Sequence, residues 1–145
     1  MEQGVLDILN LIPFGALGTT NDDGSPSVVP LHFATDERNL YWFSMPDSAH
    51  SKNMAHNSAI SFAVWTPDRM PNLRGVCINT VGRRVDSEYE KEHGRTTFTM
   101  KYPEIPDAFN EYDMYTAPIG EIDWNRSADN KWYLNGRILG ETRID

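Results

Sequence analysis

The sequence predicts a mainly β domain, a small antiparallel barrel with helices as peripheral connectors. Short apolar or alternating stretches recur along the chain, separated by turn signals rich in Gly, Pro, Asn and Asp. The early stretches lie close enough together to form hairpins. The helical stretches are few and do not alternate one for one with strands, which disfavours a parallel βαβ sheet. With 145 residues the chain reads as one domain, 1–145, long enough to bury a core without staples.

The elements follow in order. Val5, Ile8, Leu9 and Ile12 recur at helical spacing and Pro13 stops the run, so residues 2–12 form a short helix. Phe14–Thr20 is a first strand, and Asn21-Asp22-Asp23-Gly24 a turn with Gly24 free to take positive φ. Pro26–Thr35 is a second strand, with Val29, Leu31 and Phe33 on one face; Pro30 inside it marks an edge or a bulge. Leu40–Ser44 is a third, aromatic strand. Asp47 or Ser48 caps a helix over about 49–56. Ala59–Trp65 is a fourth strand. Arg74–Asp86 is a long fifth one in which Val76, Ile78 and Thr80 share a face and Gly82 marks a bulge. Ser87 and Glu90 form a capping box for a helix to about Tyr102, which Gly94 weakens. One helical turn is expected over 107–112, a sixth strand over 114–125, a loop over 125–130 and a last strand over 131–138.

Composition excludes several functions. The net charge is −8, against broad nucleic-acid binding. One cysteine, Cys77, allows neither an internal disulfide nor a zinc-finger cluster. No apolar run approaches the ~20 residues of a membrane span, and the first basic residue is Arg38, so the start lacks the basic region of a signal peptide. The expected compartment is the cytoplasm. The histidines at 32, 50, 56 and 93 show no metal-ligand spacing, and no metal is expected. Ser48 and His50 lack a nucleophile elbow, and the glycines make no nucleotide-binding signature. Charge is also uneven: residues 1–68 hold two basic residues, Arg38 and Lys52, against eight acidic ones.

One stretch, 46–53, has local chemical logic. It joins an aromatic strand to a helix start, whose unpaired N–H groups and partial positive charge suit a phosphate. Ser48 and Ser51 add hydroxyls, Lys52 a full charge and His50 part of one. The same residues also suit an ordinary strand-to-helix connection with capping serines and a solvent lysine. Trp42, Trp65, Trp124 and Trp132 are candidates to line a pocket, although aromatic residues in a small barrel are more often core.

The ordered set "FGALGTTNDDGSPSVVPLHFA", "NLYWFS", "MPDSAHSKNMAHNSAISFAVW" and "GVCINTVGRRVD" resembles the pyridoxamine 5′-phosphate oxidase-like family of FMN-binding split β-barrels. Ser44, Ser48, His50, Lys52 and Asn53 fall on that family's loop pattern. The resemblance is close over residues 1–86 and looser beyond. It implies a six-stranded antiparallel split β-barrel of Greek-key type, forming a homodimer with FMN at the interface. The phosphate would sit at Ser48, His50 and Lys52, the flavin ring against Val29, Pro30, Leu31 and Tyr41–Phe43, including Trp42 and Phe43, with Arg74 of the partner subunit adding a contact. His50 and Lys52 stand where relatives carry a basic pair, so His50 is expected to strengthen phosphate binding only as pH falls. The C-terminus lacks the Arg-x-His element of true pyridoxamine phosphate oxidases. The implied activity is hydride transfer through the flavin to a small substrate; the alternative is a non-catalytic flavin or haem carrier or sensor, with His32 or His50 as axial ligand, or a scaffold that has lost its cofactor.

Overall fold

The first hairpin shows the local chemistry at its simplest. In the computed structural model, β1 (Phe14–Thr20) and β2 (Pro26–His32) pair antiparallel, from Phe14 opposite His32 to Thr20 opposite Pro26. Gly24 closes the turn with φ of 85°, and its N–H donates to the Asn21 carbonyl at 2.8 Å. A side chain there would meet the steric penalty of left-handed backbone. The structure describes residues 3–105, 111–120, 125–126 and 131–135, the last two stretches by backbone alone.

The remaining elements are α1 (Gln3–Leu11), β3 (Ala34–Thr35), β4 (Asn39–Ser44), α2 (Ala49–His56), β5 (Ala59–Trp65), β6 (Gly75–Val81), β7 (Arg83–Arg84), α3 (Glu88–Lys101), β8 (Asp113–Pro118), β9 (Asn125–Arg126) and β10 (Lys131–Asn135). They form two sheets, ordered β2-β1-β5-β6-β10-β9 and β3-β4-β8-β7. The expected six-stranded antiparallel split barrel needs correction on two points. Among the described residues neither sheet closes on itself, and β10 runs parallel to β6, Lys131 beside Gly75. The chain changes sheet instead of bending one sheet around. It does so at Phe33, where the strand expected over 26–35 breaks, and at Gly82, where the strand expected over 74–86 breaks. The Gly82 N–H still follows the β5–β6 register, donating to the carbonyl of Ser58 opposite it at 2.8 Å, and the chain passes to the other sheet just beyond.

The other boundaries differ for local reasons. The sixth strand stops at Pro118 because the next two N–H groups, of Ile119 and Gly120, both turn to the Arg38 carbonyl. Asn125–Arg126, expected in a loop, pairs with β10. Most of the helical turn expected over 107–112, and residues 121–124, lie outside the described residues. At the start of α3 the Ser87 hydroxyl accepts from the Glu90 N–H at 3.1 Å, but the Glu90 carboxylate goes to Arg83 rather than back to Ser87. Only half of the capping box forms. Gly94 does not end α3, because there the helix presses on Met114 and Tyr41, where a Cβ would collide.

The core lies between the sheets and under α1. Val5, Ile8 and Leu9 of α1 meet Leu17, Phe33, Leu40, Trp42, Phe62, Val76, Ile78 and Tyr115. Each such side chain contributes about 1.5–3 kcal/mol when removed from water. A second cluster, Ala34, Phe98 and Tyr102, fastens α3. Lys101 at the end of α3 donates to the carbonyls of Leu9 and Ile12, both at 2.7 Å, and so holds the C-terminal end of α1. No helix among the described residues is long and apolar enough to cross a membrane.

Candidate functional site

β4 delivers Ser44 to the start of α2. Ser48 is the N-cap of that helix, in extended backbone, with its oxygen facing the Ser51 N–H at 3.4 Å. Its hydroxyl lies 2.8 Å from the Met45 carbonyl, 2.7 Å from the Ser51 hydroxyl and 3.3 Å from His50 Nε2. One proton shared among these neighbours leaves Ser48 nothing to donate outward. His50 Nε2 also lies 2.8 Å from the Ser44 hydroxyl. The structure therefore gathers Ser44, Ser48, His50 and Ser51 into one closed network. With the Ser51 N–H held by Ser48, the donors that remain for a ligand among the described residues are the N–H groups of Ala49 and His50 and the exposed Lys52 side chain.

The surroundings of His50 bear on its charge. Burial pushes its pKa below the ordinary 6.5, because removing water disfavours the imidazolium. Burial thus favours the neutral ring, which lies against the hydroxyls of Ser44 and Ser48. Asn53, the next residue of α2 after Lys52, faces inward. It is buried, and its amide donates to Thr19 Oγ1 at 3.1 Å and to Asn21 Oδ1 at 2.8 Å. It ties α2 to the end of β1 and to the first turn.

The residues expected along the flavin ring separate into two groups. Val29 and Leu31 are half-buried against the core, and Pro30 is exposed on β2, which is an outer strand of its sheet. Trp42 is fully buried, stacked on Tyr115 with ring centroids 6.0 Å apart. Its side chain is core, so only its backbone remains for a ligand. Phe43 packs edge-on to Phe98 of α3 at 5.0 Å. β3 pairs β4 only at Tyr41 and Leu40, so beyond Tyr41 no strand pairs with that side of β4 among the described residues. β2 and β4 approach each other without pairing, which leaves a seam between the two sheets. Arg74 lies outside this assembly: it is exposed ahead of β6, its N–H bound to Thr66 Oγ1 at 3.0 Å. A strand rises about 3.3 Å per residue, so the seven residues of β6 separate Arg74 from Gly82 by about 26 Å. Trp65 is exposed on β5, and the side chains of Trp124 and Trp132 lie outside the described residues.

Sequence reasoning missed a groove of about 560 Å³ on the flank of α2, whose wall includes Lys52, His56, Arg83 and Arg84. The doublet after Gly82 was the available signal, but only the fold shows that β7 places it across from α2. A second feature was also missed. The outward positions of β1, β2, β5 and β6 include Ala16, Gly18, Val28, Ala63 and Cys77, and none of them is charged.

A family model described as pyridoxamine 5′-phosphate oxidase matches residues 1–115. No curated protein sequence matches the chain. Among solved structures, a candidate 5-nitroimidazole antibiotic resistance protein from Bacteroides thetaiotaomicron is 16% identical, with a TM-score of 0.72 over 83% of this chain and 81% of that one. A FAD-binding protein from Mesorhizobium loti is 21% identical, with a TM-score of 0.61 over 79% and 86%. The heme storage protein of Vibrio cholerae is 14% identical, with a TM-score of 0.68 over 81% and 88%. At these identities the likeness is one of fold.

Proposed function

This chain belongs to the pyridoxamine 5′-phosphate oxidase family, and on that footing we propose that it is an FMN-binding oxidoreductase that works as a homodimer on a small substrate. The family fits a flavin- or heme-binding role. The observation that carries the choice of FMN is the start of α2: helix N–H groups and Lys52 shortly after β4, the strand that borders the seam with β2. This donor set fits a phosphate monoester, because it offers a full charge, a helix dipole and unpaired amides together.

FMN supplies hydride transfer at its ring when bound. The chain does the rest. Lys52 and the first-turn amides of α2 hold the phosphate. Asn53 fixes α2 against β1, and the Ser44–His50–Ser48 network fixes the loop before it. Backbone N–H and C=O groups of β2 and of Trp42–Ser44 orient the polar edge of the ring, while Val29 and Leu31 exclude water. The uncharged outer face of β1, β2, β5 and β6 meets the same face of a second copy, which completes the cleft. Arg74, far from α2 in its own protomer, suits the contact from the second protomer.

Haem is less well served. His50 Nε2 is held by two serines. His32 is packed against Phe14 and Tyr102, with centroids 4.1 and 5.5 Å away. Titrating the protein with FMN while following flavin fluorescence tests the proposal. Saturable quenching that weakens in Lys52→Ala supports it. No binding of FMN, or a Soret band appearing on addition of haem instead, overturns it.

A further inference from the structure

α1 lies over the core between the sheets, with Val5, Ile8 and Leu9 buried. Its backbone joins no ladder among the described residues. A helix of nine residues is too short to persist alone in water, so its place depends on what fastens it. Besides its apolar packing, the fastening is polar and comes from the end of α3. Lys101 Nζ donates to the Leu9 and Ile12 carbonyls, both at 2.7 Å, and the Tyr102 hydroxyl reaches the Pro13 carbonyl at 2.9 Å. The Leu9 carbonyl is one that a helix end leaves without a partner of its own, at the negative end of the helix dipole.

Rings enclose Lys101 on its other sides. Its Nζ lies 3.7 Å from the centre of the Phe33 ring and 5.4 Å from that of Tyr102. Among the described residues no carboxylate forms an ion pair with it. The titratable groups that face it are few. His32 of β2 is pushed down by burial and then by the charge of Lys101. Tyr102 is pushed up by burial, and Glu104 acts on Tyr102. Asp7 of α1 is exposed and accepts from the Gln3 amide at 2.8 Å. Burial pushes Lys101 itself down to about 7, because leaving water disfavours the ammonium. With α1 detached, the amine stands in water and returns to its ordinary 10.5.

We infer that α1 is a proton-linked latch, which detaches from the two sheets as a unit while the freed Lys101 amine takes up a proton. Well above pH 7 and below 10.5, each unit of falling pH raises the detached fraction about tenfold, since one proton is bound on opening. Below pH 7 Lys101 is charged in both states and adds nothing further. The latch also bears on the seam. Lys101 packs on Phe33, where the chain leaves β2 for the other sheet, and the Tyr102 hydroxyl bonds the Phe33 carbonyl. A closed α1 thereby steadies the end of β2.

Amide hydrogen exchange of the full chain, followed by NMR at pH 8 and 9, tests this. Hydroxide catalysis speeds an open amide about tenfold per pH unit, and a latch that closes about tenfold tighter cancels the gain. The Ile8, Leu9 and Ile12 amides should therefore exchange at nearly equal rates at the two pH values. They should also exchange faster than Phe62 and Val64 in the middle of β5, which open with the whole domain. The turn amide of Gly24, bonded to the Asn21 carbonyl without involving Lys101, should show the ordinary tenfold rise. Tyr102→Phe removes the bond to Pro13 and should speed exchange in α1 while leaving it flat with pH. Lys101→Met and Lys101→Arg, neither of which titrates in this range, should both restore the tenfold rise in α1. Wild-type α1 amides that rise tenfold, that share the rates of β5, or that stay flat in the Lys101 variants overturn the inference.

Discussion

Lys52 and Asn53 are neighbours in sequence, and the structure gives them opposite duties. Asn53→Ala removes two hydrogen bonds, to Thr19 Oγ1 and Asn21 Oδ1, and strands a buried Thr19 hydroxyl. At about 0.5–1.5 kcal/mol for each bond, plus a share of the desolvation cost, the loss is about 1–3 kcal/mol. For a chain of this size a thermal midpoint falls by roughly 2–4 °C for each kcal/mol. Lys52→Ala removes an exposed side chain with no partner among the described residues, so stability should stay within about 0.5 kcal/mol. FMN affinity should instead fall roughly 10- to 100-fold, the worth of a charge-assisted bond to phosphate. Urea denaturation and FMN titration of both variants check this together. An Asn53→Ala protein as stable as the wild type, beside a Lys52→Ala protein that binds FMN unimpaired, would refute the division of labour.

Three further outcomes follow from other parts of the molecule. Because burial lowers the pKa of His50 below 6.5, the unfolded chain takes up that proton first; this stability is present above about pH 6.5 and is lost as pH falls through the lowered value. His50→Gln should flatten the acid side of a urea-midpoint profile, and an unaltered slope would contradict it. Lys101 is pushed down to about 7 by burial, so between pH 7 and its ordinary 10.5 the unfolded state binds more protons and stability rises with pH. Lys101→Met should abolish that rise, measurable by denaturation at pH 7 and 9.5; a rise that persists places its origin elsewhere. Ala63→Arg puts a charge on the uncharged outer face of β5 and should give a monomer by sedimentation. A variant with wild-type mass would exclude that face as the interface.

Much of the fold was legible because its signals are local. β1, α2, β5 and α3 match their expected limits closely, since Pro13, the caps at Ser48 and Ser87, and clean alternation over Ala59–Trp65 each act within a few residues. What was not legible depends on partners distant in sequence. The breaks at Phe33 and Gly82 come from a change of sheet, and the parallel pairing of β10 comes from how the chain returns to β6. The site divides the same way. A helix start with Ser48 and Lys52 can be read from spacing. Two facts cannot: that His50 spends its Nε2 on Ser44 and Ser48, and that Asn53 reaches back to Thr19. Arg83 and Arg84 escaped notice because nothing in a strand doublet says which helix it faces.

The most direct test of the central claim is calorimetric titration of the wild-type protein with FMN, read per protomer and repeated with riboflavin. Saturation at one FMN per protomer is expected, with clearly weaker binding of riboflavin, which lacks the phosphate that Lys52 and the start of α2 would hold. Equal affinity for the two, or no heat with either, would contradict it.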